Sequence, residues 1–195
     1  MCAARTGQLL NIISLSVDCG ISTLTAKQWR SVLEASYIIT LLRPHHRNSD
    51  KRLVKSPKLY FWDTGIAAWL LGIRDAQSLE THAARGALFE TWVVGELHKK
   101  RLNAGCPPPD LYFWRDSSGN EVDVIFEAGD RLTPIEIKSG CTFVPDWADG
   151  LKNWGRYTHT EGQQAHLIYG DAKSFQREVM DVWSWQDVDQ VIPAT

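Results

Sequence analysis

The chain has 195 residues, 44% hydrophobic and 23% charged, ordinary globular values that exclude wholesale disorder. Its net charge is −2, and its longest apolar run, Ile66 to Ile73, falls far short of the ~18 residues of a membrane helix. No secretory signal and no membrane partner are expected, and the expected setting is the cytoplasm. Four scattered cysteines (Cys2, Cys19, Cys106, Cys141) form no C-x-x-C, which argues against a zinc knuckle and fits reduced thiols.

The charge is unevenly spread. Residues 1–60 carry nine Lys/Arg against Asp18, Glu34 and Asp50, a net +6, so the remainder is −8. A basic front and an acidic back suggest two modules with different jobs.

In the front module, residues 8–18 are densely apolar. Gly20 then suits a positive-φ turn, and Ser22 suits the N-cap of a second periodic segment carrying Leu24, Trp29, Val32 and Leu33. The spacing predicts a helix-turn-helix. Thr23, Thr25, Lys27, Gln28 and Arg30 fall on or near the first turns of its second helix, and such residues contact bases and phosphates. Tyr37 to Leu42 is strand-like, Asn48-Ser49-Asp50 is a turn, and Leu53-Val54 and Leu59-Tyr60-Phe61 read as the return. A hairpin after two helices is a winged helix, with Arg43, Arg47, Lys51 and Arg52 at its tip. His45 and His46 point to opposite faces of a strand, which argues against one shared metal. Asp63-Thr64-Gly65 caps a short helix that Gly72 stops, and residues 74–85 connect the modules.

From Gly86 a helix is predicted, with Phe89, Val93 and Leu97 forming a stripe. Glu90 lies at its margin, where a carboxylate is costly unless paired or metal-bound. Gly105 and three prolines break this helix. Three strands follow at Leu111–Arg115, Glu121–Phe126 and Thr133–Lys138, joined by turns at Ser117–Asn120 and Glu127–Asp130. Alternation puts Glu121, Asp123 and Ile125 on one face and Val122, Val124 and Phe126 on the other. Glu136 and Lys138 share a face of the third strand, so Asp123 can converge with them. Two carboxylates on adjacent strands suit Mg²⁺ or Mn²⁺, and a nearby lysine suits a phosphate developing charge. A surface hairpin in which Lys138 merely pairs with Glu136 or Asp123 uses the same residues. Ala165 to Gly170 reads as a fourth strand after a crossover helix, and Val182–Trp185 with Val188–Ile192 as a last short element.

The chain from Ala4 to Tyr157 resembles the C-terminal region of a large prokaryotic family of AAA-type ATPases. That region is a domain of unknown function, built as a winged helix plus a PD-(D/E)XK nuclease-like domain. The resemblance is carried by Lys55-Ser56-Pro57-Lys58-Leu59-Tyr60, Asp63-Thr64-Gly65, Gly86-Ala87-Leu88-Phe89-Glu90, Tyr112-Phe113-Trp114-Arg115, Glu121-Val122-Asp123 and Ile135-Glu136-Ile137-Lys138-Ser139. It implies an α/β (α+β) chain: a winged helix-turn-helix over residues 1–72, a connection over 73–85, and a restriction-endonuclease-like mixed sheet flanked by helices over 86–195. It also implies active positions at Glu90, Asp123, Glu136 and Lys138, with Asp123, Glu136 and Glu90 holding Mg²⁺ or Mn²⁺. Some nucleases of that superfamily place a Gln on the helix after the lysine; Leu151 to Tyr157 has none. The family's Gly-Lys-Ser/Thr phosphate loop is also missing, so no ATP site is expected, and the chain reads as a fragment, a truncated product or a stand-alone tail. Expected partners are DNA, through Lys27, Arg30, Arg43, Arg47, Lys51 and Arg52, and an ATPase module or a second copy. The function expected is a metal-dependent nucleic-acid phosphodiesterase; the alternative is a catalytically silent DNA-binding or docking module.

Overall fold

Side-chain caps set the helix starts in the first third of the chain. The structure, a computed structural model, describes residues 1–45, 54–106, 110–177 and 179–193. It is a mixed α/β fold in two compact units, Met1–Leu42 with Ser56–Gly95, and Arg43–Lys55 with Glu96–Thr195. Among the described residues there are nine strands, paired both parallel and antiparallel, with helices flanking them.

In the first unit, β1 (Gln8–Leu9) precedes α1 (Ile12–Asp18), whose first amides are taken by the Asn11 side chain. Gly20 turns the chain at φ +65, and Ser22 accepts the Thr25 amide to open α2 (Thr23–Ala35). Tyr37 ends α2 in the left-handed region at φ +54, where its own amide reaches Glu34 O and that of Ile38 reaches Leu33 O. Strand β2 (Ile39–Pro44) then pairs antiparallel with β3 (Lys58–Phe61), and β1 lies on the far side of β3. Asp63 caps α3 (Thr64–Leu70), and Gly72, at φ +82, stops it. The segment expected to be a plain connection contains α4 (Ala76–Thr81), capped by Asp75. Leu10, Leu15, Ile39, Leu59, Phe61 and Leu88 fill this unit's core. The long helix α5 (Arg85–Asn103) begins in this unit and ends in the second.

The second unit starts inside β2. Arg43 and Pro44 belong to it and run parallel to Tyr112 and Phe113 of β4 (Leu111–Arg115). The first strand of the expected hairpin thus has two sets of pairings, Ile39–Leu42 with β3 and Arg43–Pro44 with β4, and the expected tip residues Arg47, Lys51 and Arg52 lie outside the described residues. β4 runs antiparallel to β5 (Glu121–Ala128), and β5 to β6 (Arg131–Lys138). Both β5 and β6 extend two residues further than expected, because Ala128 pairs with Arg131 across a two-residue turn at Gly129, φ +59. α6 (Asp149–Thr158) crosses over to β7 (Ala165–Tyr169), parallel to β6 as the crossover pattern predicts. The exposed edge strand β8 (Phe175–Arg177) pairs antiparallel with β9 (Met180–Ser184), itself parallel to β7. Trp114, Val122, Ile125, Leu151, Trp154, Leu167 and Val182 form the core under α6. Among the described residues no helix is long and apolar enough to cross a membrane.

Candidate functional site

The β4–β5 hairpin is locked at its tip. Asp116 accepts the amides of Ser118 and Asn120, and Gly119 supplies φ +91. From there the two strands do not stay in step. Trp114 pairs with Val122, whereas two residues earlier Tyr112 pairs with Ile125. β5 thus spends three residues where β4 spends two, a β-bulge at Asp123–Val124 opposite Phe113. Strict alternation places Val122 and Ile125 on opposite faces; the bulge brings both into the core under α6.

The bulge has a second effect, on Asp123. The β5–β6 ladder runs from Ala128↔Arg131 to Val124↔Ile135, and Asp123 and Glu136 are the next residue of each strand beyond its last pair. There the Ile137 amide donates to the Asp123 side chain, at Oδ2, at 2.9 Å. The Asp123 carboxylate therefore sits on the peptide that follows Glu136. Both residues are buried, 8% and 6% exposed. Lys138 lies on the Glu136 side of β6, its ammonium paired with Glu136 Oε1 and its side chain one-third exposed. Asp123, Glu136 and Lys138 are thus gathered on neighbouring strands.

α6 closes over this site. A Cβ on Gly150 would stand 2.3 Å from the Glu121 carbonyl oxygen and 3.1 Å from Glu136 Oε2. Only glycine permits that approach. Asn153, further along α6, donates to Asn120 Oδ1 at 2.8 Å, and Glu121 takes Arg115 at 2.9 Å. Gly150 and Asn153 were not singled out from the sequence. A glycine in the first turn of the crossover helix is the one signal that was present for the close approach.

Glu90 belongs to the first unit. There its Oε1 accepts Lys58 Nζ at 2.9 Å and the Tyr60 hydroxyl at 2.6 Å. Lys58 is buried, so this is the pairing that a marginal carboxylate requires. Gly7, at φ +74, passes close by: its Cβ would lie 3.4 Å from Glu90 Oε2. Among the described residues, no three or more His, Cys, Asp or Glu side chains form a metal-holding group. His45 is a packed histidine, edge-on to Tyr112 and Trp154 and 3.9 Å from Glu127. His46 lies outside the described residues.

Of the expected DNA contacts, Lys27 is exposed on α2, Arg30 pairs with Glu34 at 3.3 Å, and Arg43 is exposed near the end of β2. Arg47, Lys51 and Arg52 lie outside the described residues. The outward side of α2 also carries Leu24, Trp29 and Val32, each more than half exposed.

Two family models match the chain. Residues 85–188, more than half of it, match the domain of unknown function DUF4143, and residues 1–77 match a second domain of unknown function, DUF8612. The chain belongs to the DUF4143 family. It is similar to the uncharacterised proteins Mb2031c of Mycobacterium bovis and Rv2008c of Mycobacterium tuberculosis, each 33% identical over 142 residues. The match covers 73% of this chain and 31% of each relative, so the chain spans about a third of their length. No solved structure matches it.

Proposed function

We propose that the second unit is a PD-(D/E)XK-like, metal-dependent nucleic-acid phosphodiesterase working at Asp123, Glu136 and Lys138. The observation that carries this reading is the bulge, which sets the Asp123 carboxylate on the Glu136–Ile137 peptide. Bulges re-aim side chains at functional sites. Two buried carboxylates on adjacent strands have the hard-oxygen chemistry that Mg²⁺ or Mn²⁺ prefers. Asp123 and Glu136 would hold such a cation, and the chemistry it would supply when bound is polarisation of a phosphate and a lowered pKa of water. Ile137 fixes one Asp123 oxygen, and Lys138 holds a positive charge at the mouth of the pair, where a phosphate oxygen gains charge. Glu90 is assigned to anchoring Lys58 and Tyr60 rather than to the ligand set. Residues 1–72 are read as a winged-helix module that meets DNA through Lys27, Arg30, Arg43, Arg47, Lys51 and Arg52.

A second reading rests on α2. Its outward Leu24, Trp29 and Val32 suit a protein partner better than a phosphate backbone, which favours docking for this unit, with an ATPase module as the partner that the family resemblance suggests. The test of the first reading is cleavage of single- and double-stranded DNA by the purified chain with Mg²⁺ or Mn²⁺. Asp123→Asn keeps an acceptor for the Ile137 amide and should abolish cleavage, as should Lys138→Ala. A parent chain inert with both cations leaves the docking reading.

A further inference from the structure

The second unit holds a cavity of about 490 Å³ that the phosphodiesterase reading leaves unused. Its size falls among small-ligand sites, roughly 300–1,000 Å³. Pro134, Phe143, Leu151, Trp154 and Met180 give it mostly apolar walls. Pro134 precedes Glu136 by two residues on the same face of β6, so about 7 Å of strand separates the cavity from the carboxylate pair.

The charged part of its lining is mainly cationic. The Arg177 guanidinium lies 5.3 Å from the Phe143 ring centroid. The same ring is fixed edge-on by Trp147 at 6.2 Å and Phe175 at 5.8 Å. Arg156 donates to Asn153 Oδ1 at 3.0 Å. Lys152 is neutralised by Asp149 at 2.8 Å, and Glu161 is the acid among the described lining residues. Two guanidiniums beside an aromatic-walled slot match a planar ring that carries anionic groups. A base in a duplex is stacked and cannot enter such a slot; a base in a single strand can.

We propose that this cavity takes an unstacked base of a single-stranded nucleic acid, with its phosphates on Arg156 and Arg177 and the strand directed along β6 toward Glu136. The direction rests on the phosphodiesterase reading; the base site itself does not. The test is fluorescence anisotropy of a labelled oligothymidine and of a matched duplex, in EDTA at fixed salt. Phe143→Ala and Arg177→Gln should each weaken single-strand binding about tenfold while changing duplex binding less than twofold. Arg177 lies on the exposed edge strand, so its variant serves if Phe143→Ala does not fold. Unchanged single-strand affinity in the folded variants, or an equal loss for duplex, overturns the base site. Because no metal is present, a chain that passes this test yet never cleaves DNA refutes the phosphodiesterase reading alone. One that cleaves DNA but fails this test refutes the base site alone.

Discussion

Replacing Gly150 by alanine sets two opposing effects against each other. Alanine is better than glycine inside a helix by about 1 kcal/mol, less in a first turn. At this position the added Cβ would stand 2.3 Å from a backbone carbonyl oxygen of β5, which cannot swing aside. α6 must withdraw by on the order of 1 Å to restore van der Waals contact. Overpacking of this kind typically costs about 1–3 kcal/mol, so the clash wins and Gly150→Ala should be destabilised by about 1–2 kcal/mol. Gly155, in the same helix, is the control. Its Cβ would meet nothing nearer than 3.6 Å, so Gly155→Ala should be stabilised by about 0.5–1 kcal/mol. Urea unfolding of the two variants, with unchanged m-values, gives both signs in one assay. If both variants are more stable than the parent, the close approach of α6 to the carboxylate pair is wrong.

Removing the ammonium of Lys58 should take from Glu90, in a largely buried setting, the ion pair at 2.9 Å. Lys58→Met should then cost about 3 kcal/mol, whereas Lys58→Met with Glu90→Leu should recover most of it, as chemical denaturation would show. His98 gives a pH signature. Burial pushes its pKa down to about 4, with Asp110 opposing, so between pH 6.5 and about 4 the unfolded chain binds a proton that the folded chain does not. Stability should fall across that window as the pH drops, by up to about 1.4 kcal/mol per pH unit from this group, and be indifferent to it above pH 6.5. Melting His98→Gln beside the parent from pH 7 to 4.5 should give a shallower decline; parallel curves would show that His98 is not held neutral.

Local signals were the readable ones. Ser22, Asp63, Gly20 and Gly72 mark helix ends through chemistry confined to a few residues, and each acts where the spacing predicts. The Ser117–Asn120 and Glu127–Asp130 turns likewise fix where β4, β5 and β6 begin and end to within two residues. The β5–β6 register, from Ala128↔Arg131 to Val124↔Ile135, is that of a short hairpin, which leaves little freedom to slip. What escaped depends on non-local partners. The bulge at Asp123–Val124 contains no glycine and arises from pairing with β4 on one side and β6 on the other. The Lys58–Glu90 pair spans 32 residues. β8 is three exposed residues with no alternation to betray it, and the handover of β2 at Arg43 looks in sequence like the rest of a hairpin.

The claim at the centre of this account is that Asp123 and Glu136 together hold a divalent cation. Calorimetric titration of the metal-free chain with Mn²⁺ tests it without requiring a substrate or turnover. One Mn²⁺ per chain is predicted for the parent, with binding lost in Asp123→Asn and in Glu136→Gln and retained in Glu90→Gln. No uptake by the parent, or uptake undiminished by Asp123→Asn and Glu136→Gln, would contradict it.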